Sequence, residues 1–269
     1  MRPFRIFLLL ILPVALFSGC LQVDTTVRIN KDGSGTIEEV VLMSNTVIAM
    51  MNEFMSSFQD TSGVAEEFKL FKEEELIQKG NEYGEGVKYV SGEELAIEGW
   101  EGYKAIYAFD DLNSIRMETD PNKKMQMEEG DSGVKDEYFS FRFIPGNVAE
   151  LIIDRPEMNT EGEEESYENE ETSGEENQLD DKLIKMMDGM RVKISLLFNG
   201  EIVNTNATYV NNSEVTMLDI DFSELLKNKE SLEKFKKNPP GSLDEMKAIV
   251  ENIPGMKVEL QKPVSIKFK

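Results

Sequence analysis

The stretch LQVDTTVRINKDGSGTIEEVVLMS, Leu21–Ser44, holds two alternating runs on either side of a glycine-containing turn. In the first run Val23, Thr25, Val27 and Ile29 fall on one side and Asp24, Thr26 and Arg28 on the other, the period of two of a half-buried strand. In the second, Ile37, Val41 and Met43 share a face with Glu39 set among them. Between the runs, Asn30, Asp32, Ser34, Gly35, Thr36, Ile37 and Glu38 match much of a calcium loop of the EF-hand type, which takes ligands from positions 1, 3, 5, 7, 9 and 12 with glycine at 6. Position 12 is Val41, however, so the bidentate carboxylate is missing, and a strand enters the loop where an EF-hand needs a helix. Asp-Gly and Ser-Gly supply positive-φ positions at little steric cost. A hairpin turn is therefore expected over a metal site.

Immediately upstream, MRPFRIFLLLILPVALFSGC carries Arg2 and Arg5, an apolar run from Ile6 to Phe17, and small residues before Cys20. This is the layout of a secretory signal, and the run is shorter than the roughly 20 residues that cross a bilayer. Leu16, Phe17, Ser18, Gly19 and Cys20 resemble the lipobox of bacterial lipoproteins, and that resemblance implies cleavage between Gly19 and Cys20 and lipidation of the Cys20 thiol. Cys20 is the single cysteine, so it has no intramolecular disulfide partner. Each buried methylene of an acyl chain contributes about 0.8 kcal/mol, and two or more chains give stable anchoring. The lipoprotein resemblance implies a bacterial membrane as the address, and Leu21 in place of aspartate resembles the outer-membrane sorting pattern where the host has two membranes.

Removing residues 1–19 takes away two arginines and no acidic residue, which moves the formal charge from −23 to −25. So negative a surface disfavours nucleic acid and anionic lipid alike. The chain has no histidine, which removes the usual catalytic triads and the common zinc ligand sets. No cofactor is expected.

Downstream, SNTVIAMMNEFMSSF repeats Val47, Ile48, Met51, Phe54, Met55 and Phe58 at helical spacing and predicts an amphipathic helix packed on a sheet. A shorter helix is predicted in EEELIQKGNEYG, with Leu76 and Tyr83 inward. GVKYVS, GYKAIYAF, EYFSFRF and VAELIID read as short strands. Between residues 157 and 181, twelve of twenty-five residues are acidic and none is basic, the composition of a solvated linker. Beyond it, Met190, Val192, Ile194, Leu196 and Phe198 alternate, and with EIVNTNATYV and EVTMLDIDF they predict a three-stranded β-meander. Helices are expected in FSELLKNKESLEKFKK and SLDEMKAIVENI, then one or two final strands, with Pro263 suggesting a sheet edge.

The predicted fold class is thus α+β: an antiparallel β-sheet with helices packed on one face, and a β-meander in the C-terminal half. Residues 1–19 would be the signal peptide, 20–156 an N-terminal α+β block and 157–181 the acidic linker. Residues 182–269 would form a C-terminal block, separate from the first or completing it. The lipobox cysteine, the DGSG hairpin, the helix after it, EGYKAIYAFDDLNSIRM and LFNGEIVNTNATYVNNSEVTMLDID together resemble uncharacterised bacterial envelope lipoproteins of the LppM-like kind. The resemblance covers about half the chain, and the long acidic segment and helical C-terminal part depart from the family pattern. It implies an exported, lipid-anchored α+β protein without an established reaction.

Other candidate features carry plainer readings beside the functional ones. Asp110 with Asp111, and Asp219 with Asp221, are pairs of the kind used in glycoside hydrolysis, but 52 acidic residues produce such pairs by chance. Trp100 and Tyr103 suggest a ligand platform or the cover of a core edge. Asn206 and Asn211 match glycosylation acceptors yet read as turn and strand residues. The expected function is a non-catalytic binding or structural role in the envelope, with the membrane and an envelope protein as partners. Carriage of a lipid or other apolar ligand beneath the Met and Phe helix is the second reading, and a carboxylate hydrolase the third.

Overall fold

The computed structural model describes residues 21–57, 68–118, 138–155, 189–227 and 252–269. Gly19, Cys20, the acidic segment and most of the two late helices predicted from sequence lie outside them. Thirteen strands are described: β1 (Leu21–Ile29), β2 (Gly35–Ser44), β3 (Lys88–Ile97), β4 (Trp100–Phe109), β5 (Met117–Glu118), β6 (Tyr138–Ile144), β7 (Ala149–Asp154), β8 (Arg191–Phe198), β9 (Ile202–Thr205), β10 (Val210–Asn211), β11 (Glu214–Asp221), β12 (Met256–Val258) and β13 (Val264–Phe268). Three helices accompany them: α1 (Asn45–Ser57), α2 (Glu73–Lys79) and α3 (Phe222–Lys227), with a 3-10 turn at Leu112–Ser114.

The strands form two sheets. The first has eight strands, in the order β10-β11-β8-β1-β2-β4-β3 with β12 also on β11, and the second has five, in the order β5-β6-β7-β13-β9. In β1, Val23, Thr25, Val27 and Ile29 are buried and the residues between them are half-buried, as their alternation predicts. β1 lies mid-sheet, antiparallel to β2 and parallel to β8. Both sheets contribute to one hydrophobic cluster, in which Val27, Ile37, Tyr107 and Leu196 of the first meet Phe141, Leu151, Ile266 and Phe268 of the second. The Phe198 and Phe268 rings join them, 4.6 Å apart.

This architecture corrects the α+β expectation. Among the described residues, the inner face of the first sheet is covered by a second sheet and not by a layer of helices. None of the described side chains of α1 is buried, although its Met and Phe stripe predicts a core helix, and α2 buries only Leu76. The stripe guarantees an apolar face, but the second sheet already occupies the place that face was expected to cover.

The C-terminal meander is corrected as well. β8 and β11 pair directly, while β9, which lies between them in sequence, pairs with β13 in the second sheet. Reciprocal backbone hydrogen bonds between Glu201 and Lys269 hold the chain there. Pro263 does not mark an edge, since β13 runs between β7 and β9; it precedes the strand and so withdraws no donor from the ladder.

The register gives the first sheet two distinct ends. Leu21 lies opposite Met43, Ser44 opposite Trp100, and Arg191 opposite both Gln22 and Asp221 at one end. At the other, Ile29 lies opposite Gly35 and Phe198, and Gly35 opposite Phe109.

Candidate functional site

The Asn30–Gly35 segment turns the chain from β1 into β2, and its polar groups bind one another. Asp32 Oδ1 accepts from the Ser34 amide at 3.0 Å and the Ser34 hydroxyl at 2.7 Å. These bonds, the hydroxyl first, draw the Asp32 carboxyl below its ordinary range. Asn30 donates its side-chain amide to Ser34 Oγ, and its Oδ1 accepts from Asn199 at 2.6 Å. Glu38, which the calcium reading needs as a ligand, instead lies near Lys104 at 3.2 Å and Arg28 at 3.8 Å. Gly33 has φ +86°, and a Cβ there would fall 2.6 Å from the Phe143 ring.

The other sequence candidates are dispersed. Asp219 is gripped by Arg191 through two hydrogen bonds of 2.9 and 3.1 Å. Asp221 instead accepts from the Ser223 and Glu224 amides at the start of α3. Asp111 caps the 3-10 turn through the Asn113 amide, and Asp110 is exposed. Tyr103 is buried while Trp100 is partly exposed, so the two rings form no common platform. Asn206 ties β9 to β13 by donating to the Pro263 carbonyl and accepting from the Ser265 amide. Asn211 is exposed at the end of β10.

The densest polar constellation centres on Glu39, which is 1% exposed. Its Oε1 accepts from Lys79 Nζ at 2.7 Å and from the Tyr103 hydroxyl at 2.6 Å, and its Oε2 accepts from the Tyr83 hydroxyl. Lys79 also donates to Tyr103 at 3.1 Å. Strand parity explains the placement: Glu39 lies opposite Ala105 on β4, with Tyr103 and Tyr107 two positions to either side on the same inward face. Lys79 at the end of α2 and Tyr83 after it close over the carboxylate. A charged residue at an inward position, between Ile37 and Val41, was the visible signal; its partners, 40 to 64 residues away, were not.

Burial above all, then the neighbouring Glu39 charge, drives the Tyr83 and Tyr103 phenols far above the ordinary tyrosine range. Tyr107 is raised by the same causes, yet its buried hydroxyl finds no hydrogen-bond partner among the described residues. Phenols held this firmly in the protonated form are poor acids and offer no phenolate to act as a base, and the carboxylate they surround is shielded. The cluster fastens α2 and the following turn to β2 and β4, a positional role. Glu259, also 1% exposed, is satisfied by the Thr208 and Gln261 amides.

Among the described residues, a depression of about 470 Å³ bordered by Gly200, Glu201, Ile202, Asn212 and Ser213 is open to the surface. It adjoins Asn199, and so the end of the sheet that carries the Asn30–Gly35 turn. Glu201, its single titratable lining residue, lies 3.2 Å from Lys269.

The chain matches no protein-family model and no curated protein. Among solved structures it is similar to the folded domain of Mycobacterium tuberculosis LppM, determined by NMR. That match covers 93% of this chain and 90% of that one, at 11% identity and a TM-score of 0.33. The similarity is weak. It carries neither the fold nor the activity of one protein over to the other.

Proposed function

We propose that this chain is a bacterial envelope lipoprotein, held to a membrane through acylated Cys20, whose β-rich domain has a non-catalytic binding or structural role. The observation that carries the reading is the lipobox Leu16-Phe17-Ser18-Gly19-Cys20 running directly into β1 at Leu21. The lone cysteine sits where a thiol acceptor is required, one residue before a strand in the middle of a sheet. Support for a non-catalytic role comes from Glu39, the acidic group with the most elaborate surroundings, which is enclosed by its partners and turned away from solvent.

Carriage of an apolar ligand beneath a Met and Phe helix is the weaker reading, because α1 does not roof either sheet. Replacement of Cys20 by serine tests the anchor: the variant is expected to leave the membrane fraction or to accumulate as an unprocessed precursor. Mature Cys20→Ser protein that stayed membrane-bound to the wild-type extent would sink the lipoprotein reading.

A further inference from the structure

Resting on the Cys20 anchor proposed above, we infer that α1 and the β3–β4 turn form a bilayer-contact surface, so that the first sheet stands with its Leu21 end against the lipid headgroups. The reason is the absence of a spacer. Consecutive Cα atoms are about 3.8 Å apart, and Leu21 already pairs with Met43 and heads a nine-residue strand. An acyl group on residue 20 therefore brings this end of the sheet to the membrane.

What the structure presents at that end is apolar and in large part solvent-exposed. α1 starts at Asn45, directly after β2, and the Asn45 amide donates to the Gly99 carbonyl in the β3–β4 turn, so helix and turn are adjacent. Phe54 and Met50 of α1 are 60% and 50% exposed, and Ile97 before the turn is 53% exposed. Trp100, the one tryptophan of the chain, lies just beyond the turn and is partly exposed. An indole ring suits the boundary between headgroups and acyl chains, and a thirteen-residue helix of about 20 Å with Met and Phe on one face suits insertion in the interface plane.

The charge at this surface excludes attraction to anionic lipid as the cause. α1 carries Glu53 and the turn carries Glu98, with no basic residue in either. The contact is therefore with the apolar boundary of a zwitterionic or neutral leaflet and is insensitive to salt. It follows that the Asn30–Gly35 turn and the depression at Gly200 and Ser213 face away from the membrane, toward any partner.

Trp100 makes the orientation measurable. The lipidated full chain would be reconstituted into phosphatidylcholine vesicles, with and without bromine on the acyl chains, and followed by flotation and tryptophan fluorescence. The expected result is co-flotation with Trp100 emission reduced by about half in the brominated vesicles, as suits an interfacial indole, and unchanged by salt. In a Met50→Asp/Phe54→Asp double variant, which alters only exposed positions, flotation should persist and quenching should fall. Protein that floats without quenching overturns the orientation while leaving the anchor intact. Undiminished quenching in the double variant removes α1 from the surface, and failure of the wild type to float overturns both the anchor and this inference.

Discussion

At the scale of single residues, Glu39 and the tyrosines around it give separable predictions. Tyr83→Phe and Tyr103→Phe each remove a donor from a buried carboxylate and should cost about 1.5–3 kcal/mol each in urea unfolding. Tyr107→Phe removes a hydroxyl that is buried without a partner among the described residues and should be neutral or raise stability by about 1 kcal/mol. A Tyr107→Phe loss as large as that of Tyr103→Phe would contradict this assignment. The same tyrosines set the alkaline limit. Their folded pKa values are raised, so above about pH 10 the unfolded chain loses phenolic protons that the folded chain keeps. The unfolded state then binds fewer protons, and stability must fall as pH rises past that point. Phenolate absorbance should accordingly show Tyr83, Tyr103 and Tyr107, of seven tyrosines in all, ionising only together with alkaline unfolding.

Among the elements, the β1–β2 hairpin followed its own sequence most closely. Inward parity at Val23, Val27, Ile29 and Ile37 needs no knowledge of distant residues, and glycine fits the positive φ at Gly33. Because Asp32 and Asn30 are bonded to Ser34 and Asn199, and Glu38 lies on the sheet beside Lys104, millimolar calcium is expected to leave the Tm unchanged. A clear calcium-dependent rise in calorimetry would overturn the assignment of these donors. α1 and β9 behaved differently. The stripe on α1 was legible as an amphipathic helix, yet nothing within those thirteen residues says whether the apolar face meets a sheet. β9 read as part of a meander because neighbours in sequence usually pair; the C-terminal strand competed for it and won.

On the scale of the whole molecule, strands from both sides of the acidic segment interleave. β8 and β11 extend the sheet begun by β1 and β2, while β13 closes on β7. Deleting residues 264–269 removes the strand between β7 and β9, along with Val264, Ile266 and Phe268 from the shared core. The truncated chain should lose a single cooperative thermal transition and bind a hydrophobic dye. Retention of a wild-type transition would show that the second sheet contributes little to stability. Since Glu39, Lys79, Tyr83 and Tyr103 all lie before the acidic segment, their cluster should depend on this truncation only through the common core.

By itself the sequence determined the positions of the principal strands, the inward parity of the first hairpin and the anomaly of a glutamate among its core residues. These are properties of neighbouring side chains, with a period of two that backbone geometry imposes on any strand. The tertiary structure decided that a second sheet covers the first, that α1 is left exposed beside the expected anchor, that β9 changes sheets, and which phenols and amine surround Glu39. Each of those outcomes is a competition between surfaces far apart in the chain for the same apolar face or the same hydrogen bonds, and local periodicity does not record which competitor wins.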